Sequence, residues 1–168
     1  GVTGGIAAYK SLDLIRRLKE RGLRVRAVMT RAAQAFVTPL SVGALTNDRV
    51  FTDLFDLNDE REIGHIRLSR EADLIVVAPA TADLLAKMAH GIADDMATTL
   101  LLATDKPVMA VPAMNVRMWE HAATQTNVAS LSERGVHVMM PDEGSMACGE
   151  FGAGRLPEPI AVYNAICE

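Results

Sequence analysis

Cysteine is scarce in this chain: Cys148 and Cys167 are the only two in 168 residues. Two thiols cannot build a disulfide framework, and Cys167, next to the last residue, is expected to carry no chemistry. The four histidines, His65, His90, His121 and His137, show no metal-ligand spacing with one another or with Cys148, so no metal is expected. Charge is nearly balanced, with 17 Lys+Arg against 21 Asp+Glu giving −4, which leaves no footprint for nucleic acid or an anionic membrane. No apolar run approaches the roughly 18 residues that a membrane span needs. The opening residues lack a charged region followed by an apolar one, so no secretory signal is expected and a cytoplasmic protein is the default. Linkers, repeats and low-complexity tracts are missing too, and a chain of 168 residues suits one domain with a sizeable core.

Alternating apolar runs and helical periodicities point to an α/β protein. Gly1-Val2-Thr3-Gly4-Gly5 leads into a helix whose apolar face is Ala8, Leu12, Ile15 and Leu18, with Gly22 as its stop. A small-residue turn at a helix N-terminus offers free N–H groups and the positive end of the helix dipole to an anion. Its glycine spacing is neither the dinucleotide fingerprint nor a Walker A, and Lys10 falls outside the loop. Such a turn ordinarily follows a strand, so a first strand is expected ahead of Gly1. Val25 to Met29 reads as a buried strand, with Thr30 and Arg31 at its carboxyl end; a lone arginine there also suits a solvated loop. Residues 31 to 46 read as helical or irregular, punctuated by Pro39 and Gly43, and Asp53 to Glu62 as an exposed acidic segment.

Asp73 to Ala78 is almost wholly apolar, as expected of a strand buried on both faces, and it ends in Pro79-Ala80-Thr81-Ala82-Asp83. Leu84 to Ala103 reads as helix broken around Gly91, with Asp94-Asp95 better suited to a helix cap than to a metal or an acid/base pair. Val108 to Val111 is the next strand. It delivers Pro112-Ala113-Met114-Asn115-Val116-Arg117-Met118-Trp119 to the edge where open α/β sheets bind ligands. The Asn115 carboxamide could grip a carboxylate there at any physiological pH, or it could cap the helix just after it. Trp119 to Arg134 reads as one helix stopped by Gly135, and Val136 to Met140 as a short strand. Between Gly144 and Leu156 lie four glycines in thirteen residues, which suit a flexible flap better than a strand or helix. A cysteine carried there, Cys148, can reach a ligand when the loop closes. His65, in Gly64-His65-Ile66-Arg67-Leu68, titrates near neutrality and suits either a structural role or a base toward a thiol.

The octet at 112–119 resembles the Pro-x-Met-Asn-x-x-Met-Trp signature of the flavin-dependent cysteine decarboxylases and matches every specified position. Ala78-Pro79-Ala80-Thr81-Ala82-Asp83 resembles that family's flavin-contacting turn, with Asp83 where many members have Asn. Ala147-Cys148-Gly149-Glu150-Phe151-Gly152-Ala153-Gly154-Arg155-Leu156 resembles the substrate clamp of the branch that decarboxylates 4′-phosphopantothenoylcysteine in coenzyme A synthesis. There Glu150 and Leu156 are the departures.

The resemblance runs over essentially the whole chain. It implies a doubly wound, mainly parallel sheet in a three-layer flavodoxin-like or Rossmann-like domain. It also implies bound FMN, whose oxidation of the cysteinyl group to a thioaldehyde creates the electron sink for loss of CO₂ as an enethiolate. Flavin contacts then fall on Gly4, Gly5, Ile6, Thr30, Arg31, Thr81, Ala82, Asp83, Leu84 and Ala113. Catalytic roles fall on His65 (thiolate), Asn115 (carboxylate) and Cys148 (proton to the enethiolate), and further substrate contacts on Met118, Ala147, Gly149 and Gly152. A homo-oligomer, a trimer or larger, is expected on the same ground, and a synthetase domain could come after Glu168 in a longer protein. A peptidyl-cysteine decarboxylase, a regulatory FMN-binding protein without turnover and a nicotinamide-binding Rossmann domain are the competing readings. The clamp cysteine speaks against the first, the full set of His65, Asn115 and Cys148 against the second, and the glycine spacing against the third.

Overall fold

The apolar run at 75–80 becomes the middle strand of the sheet because every side chain on it can be buried. A computed structural model describes residues 1–53 and 64–168. In it β1 (Ala27–Val28) pairs in parallel with β2 (Val50–Phe51), and β3 (Ile75–Ala80) with β4 (Val108–Pro112), which pairs with β5 (His137–Val138). Gly1 and Val2 join the two strips. The Gly1 nitrogen donates to the Val76 carbonyl at 2.6 Å and the Ala78 N–H to the Gly1 carbonyl at 3.0 Å. On the other side the Val2 N–H donates to the Val28 carbonyl at 2.8 Å, and the Thr30 N–H to the Val2 carbonyl at 3.1 Å. The order across the sheet is therefore β2, β1, residues 1–2, β3, β4, β5, which is the doubly wound arrangement expected from the sequence.

Alternate side chains of the central strands enter different layers. Ala78 and Val111 pack with Leu14 and Leu18 of α1 (Ala8–Glu20) and Val162 of α8 (Pro159–Cys167). Val77 and Ala110 pack with Leu84, Leu85 and Ala89 of α4 (Ala82–His90) and Leu131 of α7 (Ala122–Glu133). On that second face Leu68 of α3 (Gly64–Glu71) meets Met96, Ala97 and Leu100 of α5 (Met96–Ala103). α2 (Pro39–Thr46) adds Val42 to the core beside α1, its N-terminus capped by Thr38 with Pro39 in the first turn.

The expected break at Gly91 is there: the residue is left-handed, with φ 68°, and closes α4. Asp95 caps α5 in a reciprocal box with Thr98, while Asp94 pairs with Lys87 at 3.2 Å. Two expectations need correction. The single helix read from Trp119 is two, α6 (Val116–Glu120) and α7, because His121 is extended at ψ 133° and its Nδ1 accepts the Ala123 N–H. The glycine-rich segment is a β-hairpin, β6 (Asp142–Ser145) antiparallel to β7 (Phe151–Arg155). Two of its glycines, Gly152 and Gly154, serve close approach to Val116 and Met114.

A cavity of about 490 Å³ lies behind Gly1, between β1 and β3, walled by Leu14, Ile15 and Leu18 on one side and Leu68, Ala97 and Leu100 on the other. The cavity belongs to the interior of the sheet and not to its carboxyl edge. Among the described residues no helix is long and apolar enough to cross a membrane.

Candidate active site at the carboxyl edge of the sheet

The turn at 3–7 is fastened to the end of β3 from both sides. Thr3 Oγ1 donates to the Pro79 carbonyl, and Ser11 Oγ donates to the Ala78 carbonyl at 2.6 Å. Gly4 lies directly on the loop after β1: a Cβ there would stand 2.5 Å from the Ala32 Cβ. Gly5, at φ 149°, faces the Thr81 methyl. The first turn of α1 holds no acid, and its cap residue Ala7 offers no side-chain acceptor. The positive end of the α1 dipole is therefore not offset by an acid or a capping side chain at this edge.

The other edge residues fall into different classes. Thr30 turns its Oγ1 to accept the Ala33 N–H at 3.2 Å, and Arg31 is exposed beside it. Thr81 caps α4 by accepting the Leu84 N–H at 3.2 Å. Ala82 and Ala113 are half-buried, and the Ala113 N–H donates to the Ala80 carbonyl at 3.1 Å, carrying the β3–β4 pairing to the edge. Ile6 is 66% exposed. Leu84 is 3% exposed and points its side chain into the core. Asp83 is ion-paired with Lys87 one turn along α4, at 3.1 Å. That pairing is a use for the acid in the first turn of a helix.

Asn115 is the cap of the helix after it, and its amide nitrogen has a second partner within the chain. Its Oδ1 accepts the Met118 N–H at 2.9 Å as the cap of α6, which fixes the amide so that Nδ2 faces outward. Nδ2 donates to Glu150 Oε2 at 2.8 Å. Cys148 Sγ stands 3.7 Å from that same oxygen, the thiol donating to the carboxylate. Asn115, Cys148 and Glu150 thus meet on one atom, although 35 residues separate the asparagine from the acid.

Glycine makes that meeting possible. Gly154, at φ 137°, lies so close to the anchor loop that a Cβ would be 2.4 Å from the Met114 carbonyl oxygen, and Gly152 would meet Val116 Cγ1 at 2.9 Å. The Met114 N–H donates to the Gly154 carbonyl at 2.9 Å. At the hairpin tip the Met146 N–H donates to the Glu150 carbonyl at 2.7 Å and the Gly149 N–H to the Met146 carbonyl at 2.9 Å. Ala147, Cys148 and Gly149 are exposed on that tip, and Met118 is exposed on α6 below it. At the hairpin's base the buried Lys10 donates to the Leu156 carbonyl at 3.1 Å and to Glu158 at 2.9 Å. That ammonium holds the Glu158 carboxyl below its ordinary pKa. His65 lies in the first turn of α3, and its side chain lies outside the described residues, as do residues 54–63.

Sequence reasoning misses two parts of this site. Glu150 stands in the sequence as an acid two positions from Cys148, but its contact with Asn115 is made only by folding. Lys10 falls outside the glycine loop, yet it joins α1 to the foot of the hairpin.

The sheet order, the capped carboxamide and the glycine turn define a doubly wound α/β protein whose polar loops gather at the carboxyl edge, where such sheets bind ligands. The Flavoprotein family matches residues 1–168, and the chain belongs to that family. It is 52% identical over its full length to the coenzyme A biosynthesis bifunctional protein CoaBC of Vibrio vulnificus, and it spans 42% of that relative's length. A PPC decarboxylase mutant solved with pantothenoylaminoethenethiol superposes with a TM-score of 0.85 at 33% identity, covering 99% of this chain and 93% of the other. The FMN-dependent cysteine decarboxylase SpaF superposes with a TM-score of 0.81 at 33% identity, covering 99% and 93%.

Proposed function

We propose that this chain decarboxylates 4′-phosphopantothenoylcysteine to 4′-phosphopantetheine with the help of bound FMN, as a step of coenzyme A biosynthesis. The observation that carries the reading is the Asn115 amide, locked by its cap with Nδ2 outward and already holding a carboxylate beside Cys148. The similarity to CoaBC and to PPC decarboxylase supports the substrate.

The carboxyl edge fits an FMN. Gly4 lets the turn close onto Ala32, the dipole end of α1 suits the phosphate, and Thr30, Arg31, Thr81 and Ala113 lie at the same edge. Ile6 and Ala82 adjoin it, whereas Asp83 and Leu84 would act through backbone, given where their side chains go. When bound, FMN supplies the oxidation that places an electron sink beside the substrate carboxylate and returns the electrons after CO₂ has left. Asn115 Nδ2 holds the carboxylate in register with that sink until the bond breaks. Cys148 Sγ, on the hairpin above, delivers a proton to the enethiolate carbon, so the product is the saturated thiol. His65 steadies the substrate thiolate. Met118, Ala147, Gly149 and Gly152 wall the substrate and exclude water when the hairpin is down.

The same reading makes the protein a cytosolic homo-oligomer, a trimer or larger, and residues 1–168 a single FMN-binding domain. The exposed apolar side chains of Ile6, Phe36 and Leu40 support a subunit contact. A strand of the longer protein fills the slot between β1 and β3; its support is the apolar cavity and the two strand edges that face it.

The test is an absorbance spectrum of the purified protein, and then addition of 4′-phosphopantothenoylcysteine with product mass analysis. An oxidised-flavin spectrum with conversion to the saturated thiol is expected, and Cys148→Ser should release CO₂ while the unreduced enethiol accumulates. A flavin-bound protein that leaves this substrate untouched would overturn the reading.

A further inference from the structure

Glu150 has no part in the steps above, yet its Oε2 is the atom on which the site converges. It receives Asn115 Nδ2 at 2.8 Å and the Cys148 thiol at 3.7 Å. The side chain is half-buried under the hairpin, and its own backbone carbonyl closes the tip by accepting the Met146 N–H at 2.7 Å. We propose that Glu150 is a positioning residue that stands in for the substrate carboxylate: it occupies the Asn115 donor until substrate arrives, then yields it and serves as the acceptor that aims the Cys148 thiol. The proposal rests on the assignment of Asn115 as the carboxylate subsite.

The chemistry of the donor supports the exchange. Oδ1 of Asn115 is committed to Met118, so the amide cannot turn over and offers only N–H. A charge-assisted contact to a carboxylate is the strongest bond that this group can make, and Glu150 makes it from within the same molecule. A substrate carboxylate at Nδ2 would lie within a few ångströms of Glu150, where two like charges repel. One of the two carboxylates must withdraw. Glu150 can do so, because it sits at a hairpin tip two residues from Cys148, and on leaving Asn115 it stays beside the thiol. Substrate entry would then convert a tether between hairpin and anchor loop into a fixed direction for the proton donor.

The test compares Glu150→Gln with the parent, both as full-length flavin-loaded protein, using two ligands. One is 4′-phosphopantothenoylcysteine; the other is the decarboxylated thiol, which has no carboxylate to compete. Removing the internal competitor should lower KM for the acid on the order of tenfold, the scale of one hydrogen bond to a charged group. Affinity for the thiol should not change. The fraction of product leaving as enethiol should rise, because Cys148 has lost its charged acceptor and a neutral amide oxygen aims the thiol more weakly. Glu150→Asp, which keeps the charge on a shorter arm, should shift KM in the same direction by less, and it carries the test if the glutamine variant fails to fold. An unchanged or raised KM for the acid would overturn the proposal, as would equal shifts for both ligands, which would mean that Glu150 only shapes the hairpin. If the parent protein neither binds nor converts the acid, the functional reading itself falls and the proposal with it.

Discussion

Gly4 lies against Ala32 and Gly154 lies against Met114, at Cβ clearances of 2.5 and 2.4 Å, so two distant turns use the missing side chain in the same way. Their surroundings differ. The turn at 3–7 is part of the sheet: Thr3 and Ser11 bond to buried carbonyls of β3, and Val2 is hydrogen-bonded into the ladder. The hairpin lies outside the sheet and is tied down by the Met114–Gly154 bond, by Glu150 on Asn115 and by Lys10 at its foot. A surface that is continuous with the core holds a resident ligand without moving. One that rests on a few replaceable bonds can open for substrate at each turnover.

The sharpest way to break the comparison is to fill the two clearances separately. Gly154→Ala should lift the hairpin from the anchor loop and cut turnover roughly a hundredfold, the cost of about an ångström of misplacement, while flavin absorbance is retained. Gly4→Ala should do the reverse and weaken flavin retention first, as read by the free flavin released on gel filtration. If both variants lose flavin equally, the division between a fixed and a movable half is wrong. Next in size is Asn115→Asp. An aspartate can still cap α6, so the melting temperature should hardly move, but it sets a second carboxylate against Glu150 and should cost about 2 kcal/mol in kcat/KM. Unchanged activity would return Asn115 to its capping role alone.

Smaller effects are expected far from both regions. Asp95→Ala removes the capping box of α5 and should cost about 1 kcal/mol in urea unfolding, with flavin binding and turnover untouched. The smallest concerns the hairpin's foot. Lys10 depresses the Glu158 carboxyl, so the pair's stabilisation is present above its ordinary pKa of 4.5 and is lost as pH falls through the lowered folded value. Lys10→Met should flatten that acid limb of the thermal-stability profile, and only slightly, because Glu158 is exposed.

Legibility in the sequence tracks the range of the interactions involved. Ala8, Leu12, Ile15 and Leu18 announce α1 because helical spacing is local, and the run at 75–80 announces β3 because burial on two faces leaves few choices of residue. The site's edge is legible for the same reason, since each buried strand carries the loop after it to the carboxyl edge. The hairpin is not: four glycines look like looseness until the anchor loop that Gly152 and Gly154 admit is in place. His121 gives no sign of splitting a helix, since a ring nitrogen used as a cap depends on local ψ rather than on composition. Glu150 is visible only as a substitution within a motif, because its partner lies 35 residues away.

The cavity between β1 and β3 has a practical consequence for dye-binding assays on residues 1–168. Apolar dyes that brighten on contact with hydrocarbon are commonly taken as reporters of a loosened core. Here about 490 Å³, walled largely by leucine, isoleucine, valine and alanine, exists within the folded chain, large enough for such a dye. Fluorescence from that source should saturate at one dye per chain and disappear on unfolding, the opposite of the trend that a collapsing core produces.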